Sequence, residues 1–200
     1  MKETLSPFDE LQRELNKTIS SAKLEARSLP LCPEVQLYLL TEDFPRGPLP
    51  HDEMLAVLKD PAYWAFCWAS GQVLARYLIQ HPELCSGKTI LDFGAGSGVV
   101  GIAAALAGAK RVICCDIDPV ALLACKANAT LNQVDIELLA DIYDVAGQVD
   151  WLIAADVLYD RENFPWIDIL PGLAGEVLIA DSRVKSNELA GYKIVDRIEA

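Results

Sequence analysis

The stretch Thr89-Ile-Leu-Asp-Phe-Gly-Ala-Gly-Ser-Gly-Val-Val-Gly101 joins a short apolar run to an aspartate and to glycines at alternate positions. Its first five residues predict a buried strand, and the small apolar residues from Val99 to Ala107 predict a helix. Alternate glycines permit a tight turn and let backbone N–H groups approach a ligand next to the positive end of the helix. The stretch therefore predicts a strand, a ligand-binding loop and a helix in immediate succession.

From residue 88 onward, short apolar runs alternate with helical segments. The apolar runs lie at 89–93, 111–116, 136–141, 151–159 and 176–181, and helical segments follow the first two of them. Short buried strands that alternate with helices predict parallel βαβ units. We therefore expect residues 61–200 to form an α/β domain with a doubly wound, mostly parallel, Rossmann-like sheet.

Residues 1–60 are expected to form an N-terminal helical extension followed by a proline-rich loop. Ser6 and Pro7 are residue types favoured at the cap and the first position of a helix. Apolar residues then recur at spacings of three and four, which predicts an amphipathic helix that ends before Pro30. The prolines after this point predict mostly loop, with one apolar segment at 35–40.

The segment 61–79 is predicted to be a second helix. Trp64 and Trp68 form an aromatic stripe along it, and Ser70-Gly71 interrupts the stripe. Core packing alone would not require that interruption.

Two kinds of nucleotide cofactor use a glycine turn of this type. The residues from Gly96 to Gly101 fit the dinucleotide pattern GxGxxG, whereas Asp92, Gly94, Gly96 and Gly98 fit the acid-then-glycine pattern of S-adenosylmethionine (SAM) sites. A carboxylate beside the loop favours an ammonium group and disfavours a pyrophosphate. SAM is therefore the expected cofactor, and a nicotinamide-dependent oxidoreductase is the alternative from another enzyme class.

Carboxylates follow three further predicted strands. Asp116 ends the second strand, where it suits ribose hydroxyls, and Asp141 ends the third, where it suits an adenine amino group. Asp156 and Tyr159 follow the fourth strand and are the candidate catalytic residues, because groups that handle the methyl acceptor are expected there. The carboxyl ends of parallel strands share one edge of a sheet, so these side chains should surround one ligand.

Composition excludes several classes of function. The 200 residues carry 17 Lys and Arg against 29 Asp and Glu, a net charge of −12, which argues against a nucleic-acid partner. Residues 131–200 hold five bases and fourteen acids, a net charge of −9. The six cysteines form no CxxC pair, so we expect no metal site and reduced thiols. No segment has the length of a membrane span or the pattern of a leader, which predicts a cytoplasmic protein.

These motifs resemble those of a known enzyme class. The glycine loop, Asp116, Asp141 and the tetrapeptide from Asp156 to Tyr159 resemble a class I, seven-β-strand SAM-dependent methyltransferase. The segment 61–78, taken with the glycine loop and the tetrapeptide, resembles more narrowly the lysine methyltransferases of the electron transfer flavoprotein β subunit. The similarity runs from about residue 29 to residue 181.

The resemblance implies a SAM-dependent N-methyltransferase whose partner is a protein that presents a lysine. That protein would be similar to the electron transfer flavoprotein β subunit or to a ribosomal stalk protein. Asp156 and Tyr159 would face the target lysine, and the cofactor would be bound by Trp68, Asp92, Gly94, Ala95, Gly96, Gly98, Asp116 and Asp141. A methyltransferase for a small amine or another nitrogen acceptor, and a binding module that has lost activity, are the alternatives.

One departure from the class concerns the end of the sheet. The class pattern has two further strands after 176–181, and the sequence GYKIVDRIEA at 191–200 can supply only one of them. We therefore expect the last antiparallel strand to be missing, which would leave a bare sheet edge.

Overall fold

The computed structural model describes residues 5–42, 44, 47–184, 189 and 191–198. The helices are α1 (Pro7–Thr18), α2 (His51–Lys59), α3 (Ala69–Gln80), α4 (Val99–Leu106), α5 (Pro119–Asn132) and α6 (Trp166–Ile169). The strands are β1 (Leu24–Ser28), β2 (Gln36–Leu40), β3 (Thr89–Phe93), β4 (Arg111–Cys115), β5 (Glu137–Leu139), β6 (Trp151–Ala155) and β7 (Glu176–Ala180). Short 3-10 turns lie at Tyr63–Ala65, Pro82–Leu84, Ile142–Asp144, Arg161–Asn163 and Leu170–Gly172.

Five parallel strands form the central sheet in the order β5-β4-β3-β6-β7. The chain builds outward from β3 through β4 to β5 and then returns to the other side of β3, so the order reverses between β3 and β6. Open α/β sheets bind ligands at the carboxyl ends of the strands beside such a reversal. The predicted doubly wound α/β fold is confirmed.

Both faces of the sheet are covered, as buried parallel strands require. Successive residues of a strand point to opposite faces. Ile90 and Val112 therefore pack with α3 and α4 on one side, whereas Leu91 and Ile113 pack with Leu170 on the other. The two layers hold the carboxyl edge of the sheet in place from both sides.

The N-terminal region differs from the prediction. The helix predicted to end before Pro30 is α1, which ends at Thr18, where the side-chain amide of Asn16 donates to the carbonyl oxygens of Ile19, Ser20 and Ala22 and stabilises a turn. The chain then forms an antiparallel hairpin of β1 and β2, in which Leu24 pairs with Leu40. The hairpin was not predicted, although β2 coincides with the apolar segment expected at 35–40.

The helix predicted from Pro61 begins only at Ala69. Residues Tyr63–Ala65 form a 3-10 turn instead, and the buried ring of Trp64 packs with α1 and α5. The interruption noted at Ser70-Gly71 is thus the first turn of α3.

The described residues form no strand after β7. Gly191–Ile198 lack strand structure, so the strand expected from GYKIVDRIEA is absent there, while residues 199 and 200 lie outside the described part. Within the part of the chain that is described, β7 is one edge of the sheet.

Candidate active site

The glycine loop, residues 94–98, connects β3 to α4. Gly94, Gly96 and Gly98 all have positive φ values, of 67°, 54° and 77°, which glycine adopts without steric cost. The N–H groups of Gly94 and Ala95 donate to the carbonyl oxygen of Cys115, at 2.9 and 3.1 Å. The loop therefore crosses the end of β4 and begins α4 at the sheet edge.

Close packing leaves no room for a side chain at two of these glycines, whereas the third is not closely packed. A Cβ atom on Gly94 would lie 2.6 Å from Cγ1 of Val157, and one on Gly98 would lie 3.1 Å from Sγ of Cys125. On Gly96 it would meet only a backbone oxygen at 4.0 Å. The outer side of Gly96 is thus available for close approach by a ligand.

Asp92 lies beneath the glycine loop. Its side chain is 2% exposed, and Oδ2 accepts a hydrogen bond of 2.8 Å from the N–H of Gly101 in α4. Burial raises the pKa of this carboxyl group to about 7, against the opposing effect of the Gly101 N–H. The side chain links β3 to α4 inside the core.

Asp116 follows β4 and links the glycine loop to α5. Its Oδ2 accepts from the N–H of Gly96 at 2.8 Å, and its Oδ1 accepts from the N–H of Asp118 at 3.0 Å. Asp118 caps α5 by accepting a hydrogen bond from the N–H of Val120. Between the two aspartates, the side chain of Ile117 is 92% exposed, an apolar group that the sequence analysis did not single out.

Asp141 lies at the same edge, beyond β5. It is exposed and caps the 3-10 turn Ile142–Asp144 by accepting from the N–H of Tyr143. Burial, followed by the charges of Asp116, Asp141 and Asp92, raises the pKa of the Cys115 thiol to about 12. The three predicted carboxylates thus converge around the end of β4.

Asp156 has an unusual backbone, and each of its carboxylate oxygens accepts one hydrogen bond. Its φ is 53°, in the left-handed region, and its N–H donates to the carbonyl oxygen of Ala180. Oδ1 accepts from the Ser70 hydroxyl at 2.6 Å, and Oδ2 accepts from the Ser70 N–H at 3.0 Å. Asp156 therefore holds the first turn of α3, where a carboxylate also interacts favourably with the helix dipole.

Tyr159 belongs to an exposed aromatic cluster, defined here as Tyr63, Phe66, Trp68 and Tyr159. The ring centroids of Tyr63 and Tyr159 are 5.7 Å apart, those of Tyr63 and Trp68 are 6.1 Å apart, and those of Phe66 and Trp68 are 6.2 Å apart. Each of the four side chains is between 44% and 49% exposed. Tyr63 and Phe66 were missed from the sequence, although the density of aromatic residues in 63–68 was a signal for them.

The tetrapeptide from Asp156 to Tyr159 lies directly against the glycine loop, since Val157 contacts Gly94. Trp68 is joined to the same region through Tyr63, whose carbonyl oxygen accepts from Nε1 of Trp68 at 3.3 Å. The structure therefore brings the predicted loop, acid and aromatic residues together at one edge of the sheet. In the described part of the chain, no group of three or more His, Cys, Asp or Glu side chains could hold a metal ion.

This sheet and this arrangement of glycine loop and strand-end carboxylates define the class I methyltransferase fold. A crystal structure of a tRNA methyltransferase from M. jannaschii has the same fold, with a TM-score of 0.50 at 19% identity over 77% of this chain and 39% of that chain. Among the helices that the structure describes, none is long and apolar enough to cross a membrane.

Sequence comparisons place the chain beside particular methyltransferases. Residues 74–160 match the family described as Ribosomal protein L11 methyltransferase (PrmA). The chain is similar to the electron transfer flavoprotein beta subunit lysine methyltransferase of Homo sapiens, with 38% identity over 140 residues, which are 66% of this chain and 50% of that protein. It is also similar to the ribosomal protein L11 methyltransferase of Dichelobacter nodosus, with 51% identity over 80 residues, 40% of this chain and 27% of that protein.

The resemblance stated from the sequence is confirmed by these matches. The chain spans about half the length of the first of these relatives.

Proposed function

We propose that this protein is a SAM-dependent N-methyltransferase that acts on a lysine side chain of a protein substrate. The contact between Val157 and Gly94 carries this proposal, because it sets the predicted acceptor residues against the predicted cofactor loop. The similarity to lysine methyltransferases supports the choice of reaction and acceptor.

The residues at the sheet edge fit SAM. Gly96 has an open outer face, and the Asp116 carboxylate can accept hydrogen bonds from ribose hydroxyls if it exchanges its contact with Gly96. Ile117 can pack on the adenine ring, with Asp141 at its amino group. Gly94, Ala95, Gly98 and Trp68 would border the methionine part. Bound SAM would supply an electrophilic methyl group on a sulfonium.

Asp92 receives a different role from the one expected for it. Since its carboxyl group is buried and bonded to Gly101, we propose that it positions the loop through α4 and does not contact the methionine ammonium directly. Its place in the acid-then-glycine pattern would then reflect the packing of β3 on α4.

The acceptor lysine must be neutral to attack the methyl group. At pH 7 deprotonation of a free lysine costs about 4.6 kcal/mol. A carboxylate nearby binds an ammonium but raises its pKa, so Asp156 would orient the lysine rather than remove its proton. Tyr63, Trp68 and Tyr159 present aromatic faces that attract a cation, and desolvation of the docked lysine favours the neutral amine.

A protein substrate is favoured over a small amine because the aromatic cluster is an open surface, about half exposed at each ring. Small-molecule sites are normally concave and enclose most of their ligand. We further propose a cytoplasmic protein without a nucleic-acid partner, on the grounds of six free cysteines and a net charge of −12.

Transfer of a radiolabelled methyl group from SAM to purified electron transfer flavoprotein and to ribosomal protein L11 tests the proposal. We expect a labelled lysine in one of these proteins. The Asp156→Ala variant should lower kcat at least roughly 100-fold, equivalent to about 2.7 kcal/mol, with little change in SAM affinity. Unchanged turnover in that variant would contradict the role of Asp156, and label in a small amine alone would favour the alternative acceptor.

A further inference from the structure

Helix α2 has its apolar stripe on the outside. Met54, Leu55 and Leu58 are 43%, 51% and 73% exposed, and no residue of α2 is buried. We call these three side chains the α2 stripe. The other side of α2 faces the protein, since Glu53 accepts hydrogen bonds from the N–H and hydroxyl of Ser20 and Val57 packs against the cluster around α1.

This exposure of three apolar side chains is unusual for a surface helix. A surface helix normally buries its apolar stripe against the core and exposes its polar face. Here Val57 faces the protein beside Glu53, but Met54, Leu55 and Leu58 are left in solvent. Contiguous exposed apolar side chains beside charged ones mark interaction sites on soluble proteins.

The α2 stripe is only a few residues along the chain from the proposed acceptor site. The residue that ends α2, Asp60, is near Asp118 at the start of α5. Burial raises the pKa of Asp118, and the charges of Asp116 and Asp60 raise it further by smaller amounts. Leu58 precedes Tyr63 of the aromatic cluster by five residues, so their Cα atoms are at most about 18 Å apart. An interface of standard size covers about 800 Å² on each partner, a disc of about 16 Å radius. Such a disc is about 32 Å across, so one interface can cover Tyr63 and Leu58 together.

The charges around the stripe indicate what it binds. The exposed charges that flank the stripe and Tyr159 along the chain are mostly acidic, with Asp52, Asp60, Asp160 and Glu162 against Lys59 and Arg161. Complementary charge steers a partner and suppresses wrong ones. The surface thus fits a basic protein with an apolar patch, and it fits a second copy of this acidic chain poorly.

We propose that the α2 stripe docks the body of the protein substrate whose lysine enters the acceptor site. The proposal rests on the function proposed above and adds the surface that selects a folded protein over a lysine in a short peptide. Met54, Leu55 and Leu58 fill the apolar patch of the substrate, and the surrounding acids face its basic side chains.

The test compares the triple variant Met54→Ser, Leu55→Ser, Leu58→Ser with a matched triple variant elsewhere. Leu106, Leu138 and Ile169 are 42%, 39% and 37% exposed and serve as the control, each changed to Ser. Methyl transfer is measured with electron transfer flavoprotein or ribosomal protein L11, whichever the wild-type protein labels, and with a short synthetic peptide centred on the labelled lysine.

We expect the stripe variant to raise KM for the folded substrate at least roughly tenfold, with kcat, SAM affinity and KM for the peptide unchanged. The control variant should match the wild type. An unchanged KM for the folded substrate would overturn the proposal, and so would an equal rise for the peptide or a loss of SAM binding, which would make the stripe structural. If the wild type is a dimer, the stripe variant is a monomer and KM is unchanged, the stripe would instead serve self-association. Failure of the proposed function is distinct, because the wild type would then label neither protein.

Discussion

The carboxyl group of Asp92 is both buried and ionisable, so the stability of the folded protein depends on pH. Its pKa is raised to about 7 by burial, from an ordinary value near 3.9 in an unfolded chain. An acid whose pKa is raised on folding favours the folded state in its neutral form. The stability that it contributes is therefore full below about pH 4, declines as pH rises toward 7 and is lost above that.

We predict that Asp92→Asn removes this decline. The amide oxygen of Asn can still accept from the N–H of Gly101, and no charge is buried at high pH. The measurement is the difference in melting temperature between the variant and the wild type at pH 5 and at pH 8. This difference should be at least about 5 °C larger at pH 8, since each pKa unit is worth about 1.4 kcal/mol. Exposed Asp135, changed to Asn, is the control. Parallel pH profiles for wild type and Asp92→Asn would contradict the prediction.

Asp116 has a local role in the loop in addition to its proposed role in binding. Its carboxylate already bonds the N–H groups of Gly96 and Asp118, so Asp116→Ala removes both a loop contact and a candidate ribose acceptor. We predict at least roughly a tenfold loss of SAM affinity by calorimetry, whereas Asp118→Ala should mainly lower the melting temperature through the lost helix cap. Wild-type affinity in Asp116→Ala would refute the ribose assignment.

The glycine loop was predictable because its signal is local. Positive φ at Gly94, Gly96 and Gly98 needs only the residues between β3 and α4, and the strand-end acids follow from the βαβ order. The contact of Asp156 with Ser70 was not predictable, since the two residues are 86 positions apart. It is this contact that starts α3 at Ala69, so the predicted helix boundary failed for a tertiary reason.

The hairpin of β1 and β2 was missed for a similar reason. Its residues carry no strong turn pattern, and it is held by amides that belong to α5. Oδ1 of Asn132 accepts from the N–H of Gln36, and its Nδ2 donates to the Gln36 carbonyl oxygen, as a neighbouring strand would. Oδ1 of Asn128 likewise accepts from the N–H of Tyr38. Such pairing depends on a helix some 90 residues further along the chain.

Asn128 also reaches the glycine loop, which leads to a prediction. It is fully buried, and its Nδ2 donates to the carbonyl oxygen of Ser97 at 2.8 Å. Asn128→Ala leaves this oxygen and the N–H of Tyr38 without their partner, at a cost of about 1–3 kcal/mol for each buried group. We expect a loss of unfolding free energy of about 2–6 kcal/mol by denaturant titration, together with weaker SAM binding.

Asn132→Ala is the matched control for Asn128→Ala. It removes the contacts with Gln36 but touches no residue of the glycine loop. We expect a smaller loss of stability and unchanged SAM affinity. Equal effects of the two variants on SAM affinity would show that Asn128 acts on the loop only through the general stability of the fold.

The distribution of charge over the molecule links its sequence to its proposed partner. The net charge is −12, and the acids Asp156, Asp160 and Glu162 follow β6 at the same sheet edge as the aromatic cluster. The sequence predicted an acidic last third, but only the fold sets Tyr159, the neighbour of Asp160, against Tyr63 of the aromatic cluster. We call Asp156, Asp160 and Glu162 the acidic rim. A basic substrate surface would be attracted to this rim before any contact forms.

This attraction should be visible as a dependence on salt. The screening length falls from about 10 Å at 0.1 M to about 3 Å at 1 M ionic strength. We therefore predict that kcat/KM for the folded protein substrate falls at least roughly tenfold between those two conditions, through KM. The same change should affect a short lysine peptide much less, because the peptide meets only the acceptor site and not the rim. SAM affinity, measured by calorimetry in the same buffers, separates an effect on the cofactor from one on docking. A salt response equal for protein and peptide would mean that the acidic rim does not steer the substrate.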